Sequence, residues 1–363
     1  YALRWMGSEP GMAAYLSSLA LDRAGNWDEF LRAVEGWKAP SENLVYADVD
    51  GNIGWVAAAL TPIRRGWHGL LPVPGAGGEY RWEGFLDVKD LPQAYNPPDH
   101  VLATSNHNIL PPGYPHDISF DWVPAYRYRR VRERLEETEK LTLDDFKSIQ
   151  HDNVSIPGRQ LARLLAEVGV REPKLERFVE LMTAWDGAMT KDSSAAPLYA
   201  IWLEELKKGF FGPKTPRHLI QAAAGRNGIA EMLGELADPT EAWFGDHAAA
   251  KRDHLIRATF ARAVRKTQEA LGKDPSDWAW GRLHHVLFEH PLSRRGPAYA
   301  EAFNIGPVPS GSGPYAVDQA RYDEDFSRQH GATYREVFDL ADWDRGMATS
   351  APGQSGQPGS PHY

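Results

Sequence analysis

DWVPAYRYRRVRERLEETEKLTLDDFKSIQ, residues 121–150, is where the chain changes its period. Upstream, apolar residues come in short runs broken by proline and glycine. From about residue 124 the spacing turns helical: Val131 and Leu135 follow Arg127 at i+4 and i+8, one face of a 3.6-residue repeat. Thr142 reads as the N-cap of a further helix, with Asp145 at the capping-box position usually held by Glu or Gln. Leu175, Phe178, Val179, Met182 and Trp185 form another apolar stripe. A third helix is predicted from Leu255 to Leu271, closed by Gly272. Residues 130–275 therefore read as mainly helical.

Both flanks are mixed. Asn26 is a plausible cap for a helix over 26–37, in which Trp27, Phe30, Leu31, Val34 and Trp37 share one face. The run NLVYADVDGNIGWVAAA (43–59) places Asp50-Gly51 between two strand-like segments, a hairpin signal because both residues tolerate the positive φ of a tight turn. Residues 61–100 read as loops and short strands. Beyond Trp278, WAWGRLHHVLFEHPL looks strand-like, and no internal repeat is visible. The order mixed, helical, mixed predicts an α+β fold, a single domain over 1–363 with a helical insertion at about 140–275.

Lys and Arg number 40 against 49 Asp and Glu, a net charge of −9, which argues against a nucleic-acid partner. The basic run Arg127–Arg134 meets Glu136, Glu137 and Glu139 at once and reads as a mixed-charge helix. With no cysteine there is no disulfide, thiolate metal site or cysteine nucleophile. No apolar run is long enough for a membrane span. The chain carries no signal-peptide pattern and begins at Tyr1, so it is expected to be processed or part of something larger.

Phosphate loops, H-E-x-x-H and G-x-S-x-G are missing. PSGSGPY (309–315) reads as a flexible surface turn. His284 and His285 are neighbours on an alternating strand, face opposite ways and cannot share a metal. His107 and His116 read as polar loop residues, and Trp278 and Trp280 as core. Asn106 stands in a proline-stiffened loop, SNHNILPPGYP (105–115). Its carboxamide could donate to an oxyanion that exists only in a transition state, or could simply cap a turn. Arg127 is either a buried arginine needing partners or a solvated helix residue.

The ordered set VYADVDGNIGW, LPVPG, YNPPDHVLATSN, YP, WVPAYRYRRVRERL, WGRLHHVLFEHPL and PGQSG resembles the penicillin acylase family, which includes acyl-homoserine-lactone and cephalosporin acylases. The resemblance runs along nearly the whole chain. It implies an N-terminal-nucleophile hydrolase with a four-layer αββα sandwich, autoproteolytic processing and a periplasmic or secreted location. A serine freed at the start of the large β chain attacks the amide of a small N-acylated substrate, with its own α-amino group as base. By the same resemblance Asn106 is the side-chain oxyanion donor, and Arg127, five residues past Trp122, steadies it. His107 stands where the family has a second Asn.

Glu42 and Phe120 match acyl-pocket positions, and a glutamate there disfavours a simple apolar acyl group unless it is paired. No redox or organic cofactor is implied. Some relatives hold a structural calcium, for which the Gly69 carbonyl and Asp117 are the nearest matches. The serine, the α chain and the N-terminal part of the β chain are expected to lie outside these residues, so that the fragment alone is inactive. Two rival readings remain: a non-catalytic remnant that binds a ligand or subunit, and an internal nucleophile at Ser310, Ser312 or Ser355.

Overall fold

A computed structural model describes residues 1–11, 14–225 and 228–363, and the chain in it is α+β. By contacts it forms two compact units, 1–122 with 339–343, and 123–338 with 344–363.

The first unit holds helices α1 (Ala14–Leu21) and α2 (Trp27–Val34) and strands β1 (Glu42–Ala47), β2 (Ile53–Ala58), β3 (Pro62–Arg64), β4 (Trp82–Phe85) and β5 (Gln93–Tyr95). Asn26 caps α2 by accepting from the Glu29 amide at 3.0 Å. β1 and β2 form the expected antiparallel hairpin, from Glu42 opposite Ala58 to Ala47 opposite Ile53, and β5 adds to the far side of β2. Gly51 takes φ 87° in the turn, and Asp48 accepts from the Asp50 and Asn52 amides. Phe30 and Val34 of α2 bury against Tyr46, Val56, Ala58 and Leu91. The Trp27 ring stacks on Phe30 and Tyr95 and lies directly on Gly54, where an added Cβ would sit 2.3 Å from the ring.

The second unit contains α3 (Tyr126–Leu135), α4 (Leu143–Gln150), α5 (Ile156–Val168), α6 (Glu176–Thr183), α7 (Ala195–Phe211), α8 (Ile220–Ala223), α9 (Gly228–Ala237), α10 (Glu241–Phe244), α11 (Ala248–Leu271) and α12 (Pro297–Phe303). Its strands are β6 (His285–Phe288), β7 (Ile305–Pro309), β8 (Ala320–Tyr322), β9 (Arg328–Gly331), β10 (Tyr334–Val337) and β11 (Met347–Ser350). The sheet order is β7-β6-β9-β8, with β6 and β9 parallel, while β10 pairs with β11. Thr142 and Asp145 make the full capping box of α4. The stripe on α6 buries Phe178 and Met182, and Phe178 stacks on Trp278 at 5.5 Å.

α7 is the centre of this unit. Every residue from Ala195 to Leu203 is buried, so the helix has no solvent face over its first half. It packs on α11, where Trp202 donates to Thr259 Oγ1 at 3.1 Å and Gly209 admits Leu255. Glu205 is the one buried charge on α7. Burial would raise its pKa, but Lys266 at 2.6 Å and Arg262 at 3.0 Å outweigh it and hold the carboxyl below its usual range.

Two sequence expectations change here. The first is the Trp278 segment, of which only 285–288 is strand. Trp280–Arg282 is a 3-10 turn, because the Leu283 and His284 amides bond back to the Trp280 carbonyl. His284 therefore precedes the strand, is fully buried, stacks on Trp280 at 4.7 Å and contacts the Phe326 carbonyl through Nδ1 at 2.8 Å. The second is PSGSGPY, which is not a surface turn. Ser312 is fully buried, Ser310 and Tyr315 are buried, and Trp280 donates to the Ser312 carbonyl at 2.9 Å. A Cβ at Gly311 would come within 3.0 Å of the Met189 carbonyl, and one at Gly313 within 2.7 Å of the Met189 sulfur. The glycines allow close approach rather than flexibility.

Burial, with lesser contributions from Arg328 and His285, lowers the His284 pKa from 6.5 to about 4. Between those values the unfolded chain binds the proton and the folded one does not, so stability falls with pH from about 6.5 to about 4 and changes no further below. The loss from this residue is on the order of 3 kcal/mol. Urea melts across that range should show a shallower pH slope for His284→Gln than for the parent. Gly54→Ala, which forces a methyl into the Trp27 ring, should cost about 1–3 kcal/mol by the same measurement.

Candidate active-site residues

Asn106 lies in a segment, 96–122, with no regular secondary structure of its own. Tethers to neighbouring elements hold it. Asn96 Oδ1 accepts from the Ile53 amide at 2.9 Å, and its Nδ2 donates to Asn52 Oδ1 at 2.8 Å, fixing the segment to the β1–β2 turn. The Tyr114 hydroxyl donates to the Asp90 carbonyl. His68 Nδ1 lies 2.7 Å from Asp117 Oδ2. The prolines at 111, 112 and 115 restrict the backbone between these points.

Six described non-glycine residues have positive φ, and three of them, Asn96, His100 and Asn106, fall within this stretch. Asn106 has φ 60° and is exposed on this chain. The left-handed region suits asparagine better than most residues but still costs energy, and such strain clusters where a side chain must be aimed. Asn108, by contrast, spends its side-chain oxygen on the Leu110 amide, an ordinary turn contact at 3.0 Å.

Phe120 is exposed and meets the His68 ring edge-on at 5.5 Å. The structure thus gathers His68, Asp117 and Phe120, although the sequence reading did not connect them. Glu42 opens β1, is exposed and pairs in register with Ala58. His116 packs on Tyr114.

Arg127 sits in the first turn of α3, half-buried. It is not the buried arginine of that helix. Val131 and Leu135 are only half-buried, and the covered face runs through Tyr126 and Arg130. Tyr126 packs edge-on to Tyr315 at 6.0 Å, and burial raises its phenol pKa. Arg130 contacts Asp152 through Nε at 3.1 and 3.0 Å and Nη2 at 2.6 Å, and reaches Glu133 through Nη1 at 2.9 Å. Asp152 also accepts from the Val154 amide at 3.0 Å. Arg130 sits far inside a run of surface-like charges, and its acid lies 22 residues away, so no local pattern pointed to the pair. Asn106 and Arg127 belong to different compact units.

The three internal serine hydroxyls are engaged in other hydrogen bonds. Ser310 Oγ accepts from Arg328 at 2.9 Å, Ser312 Oγ donates to the Asp318 carbonyl, and Ser355 Oγ accepts from the Gln357 amide. None of these partners is a base. For calcium, Asp117 is engaged by His68, and the Arg64 guanidinium lies against Gly69, where a Cβ would come within 2.9 Å of its Nε. Among the described residues no group of three or more His, Cys, Asp or Glu could hold a metal. Calcium takes six to eight oxygens, so these residues alone do not fit it. No described helix is long and apolar enough to cross a membrane.

The chain belongs to the penicillin amidase family, whose model matches residues 1–363. It is 29% identical over 345 residues to penicillin acylase 2 proenzyme of Pseudomonas sp. strain SE83, covering 91% of this chain and 43% of that protein. It is 27% identical over 381 residues to the acyl-homoserine lactone acylase QuiP of Pseudomonas aeruginosa, covering 94% and 45%. The chain thus spans less than half the length of these curated relatives. A solved thermostable penicillin G acylase from Alcaligenes faecalis superposes with a TM-score of 0.64 at 21% identity, covering 76% of this chain and 55% of that one, a likeness of fold.

A fluorophosphonate probe incubated with these 363 residues should leave Ser310, Ser312 and Ser355 unlabelled by mass spectrometry. Labelling of any of the three would return it to consideration as a nucleophile.

Proposed function

We propose that this chain is part of an N-terminal-nucleophile acylase that hydrolyses the amide of a small N-acylated substrate, penicillin-like or an acyl-homoserine lactone. The relatives named above carry those two activities, and the family match covers the whole chain. The nucleophilic serine belongs to a part of the protein outside these residues, as does the α chain that completes the substrate site. The serine hydroxyl adds to the acyl carbonyl and passes its proton to the serine's own α-amino group. The C–N bond breaks as the amine leaves with a proton, and water then hydrolyses the acyl-enzyme.

Asn106 acts at the addition step. Its side-chain amide donates to the oxygen that becomes negative, and it contributes most if it need not reorient when the charge forms. The carrying observation is its left-handed backbone, φ 60°, in a segment tied to its surroundings at Asn96, Tyr114 and Asp117. Arg127 supports the geometry of the site, and Glu42 and Phe120 line the acyl side. A processed, exported enzyme is the setting that goes with this reading.

Two substitutions in the full-length enzyme separate the donor from the backbone. Asn106→Gly keeps the left-handed conformation without strain and removes only the carboxamide. Its kcat should fall about 100- to 1,000-fold on a panel of acylated amides scored by amine release. Asn106→Ala should fall at least as far and be less stable. An Asn106→Gly enzyme within threefold of the parent would remove the assignment.

A further inference from the structure

We infer that Arg130 and Asp152 are positioning residues for the acylase site, acting through the rotation of α3 on Arg127. This rests on the reading of Arg127 given above. The ion pair is buried: the side chains of Arg130 and Asp152 are 10% and 4% exposed. Arg130 presents its fork, Nε and Nη2, to both carboxylate oxygens, a planar contact that tolerates little rotation. Asp152 is fixed in turn by the Val154 amide just ahead of α5, whose cap Ser155 shares a hydrogen bond with Tyr199 of α7 at 2.9 Å. The pair therefore ties α3 to the central helix of the unit.

Arg127 precedes Arg130 by three positions, so the two side chains project about 60° apart on the same side of α3. Tyr126, one turn before Arg130, packs on Tyr315 and makes the second anchor of that face. Both anchors oppose a roll of the helix. At the ~6 Å radius of a helix with its side chains, a roll of about 10° moves a side-chain end by about 1 Å. Misplacement on that scale costs on the order of 100-fold in rate. A buried ion pair is weak evidence of net stabilisation, since well-packed apolar residues often replace one without loss, but its directional fork restrains orientation in a way that apolar packing does not.

The test uses the full-length enzyme and reads kcat and KM separately, with thermal melting as the check on folding. Arg130→Lys keeps the charge but loses the fork, and Arg130→Met with Asp152→Leu replaces the pair by apolar packing. Both should lower kcat tenfold or more and leave KM within threefold, including where the melting temperature matches the parent. Placed on Arg127→Ala, Arg130→Lys should cause no further loss in kcat, because it acts through a side chain already removed. If a folded Arg130 variant keeps kcat within twofold of the parent, or if its loss simply multiplies with that of Arg127→Ala, the positioning role is overturned. If Arg127→Ala itself keeps parental activity, the failure lies with the reading of Arg127 and the coupling falls with it.

Discussion

A helix with no polar face cannot lie on a surface. α7 is buried on all sides from Ala195 to Leu203, and the rest of its unit is arranged to cover it. α11 packs along it through Trp202–Thr259 and the notch at Gly209. Ile229, Met232 and Leu236 of α9 join the same core, as does Trp280. Several polar groups that enter this core are matched: Glu205 by two cations, Tyr199 by Ser155, and Thr259 and Thr267 by carbonyls one turn back in α11. Unpaired, any of them would cost more than its hydrogen bond contributes.

The first unit meets a different problem. Residues 96–122 contain no helix or strand and must still present side chains in fixed directions. Propriety of position comes from point tethers and from backbone conformations that few residues tolerate. The β1–β2 turn serves as one anchor, since the Asn52–Asn96 contact joins the hairpin to the start of the segment. Such contacts can hold a loop residue in place without a helix or strand around it. The cost is local strain at Asn96, His100 and Asn106, which the surrounding contacts hold in place.

Periodicity and capping chemistry were legible in the sequence because they are local. The Asp50-Gly51 hairpin, the α2 stripe, the Thr142–Asp145 box and the end of α11 at Gly272 all stand where the residues place them. Asn106 and Arg127 were picked out by residue type, loop stiffness and family resemblance. The failures were non-local. PSGSGPY has the composition of a surface turn, yet its glycines are small so that Met189 can press against them. The charge run of α3 looks uniformly solvated, yet one of its arginines is buried because Asp152 comes to meet it.

The sequence alone determined the α+β class and the mixed, helical, mixed order of the elements, which are written in local spacing and capping, and its resemblance to a known family pointed to the family that the comparisons show. Only the tertiary structure decided which arginine of α3 is buried, which serines are spoken for by hydrogen bonds, and that His284 is neutral inside the core. Those outcomes depend on groups tens of residues apart sharing a desolvated space, where an unmatched charge or hydroxyl is costly, and no local pattern encodes that match.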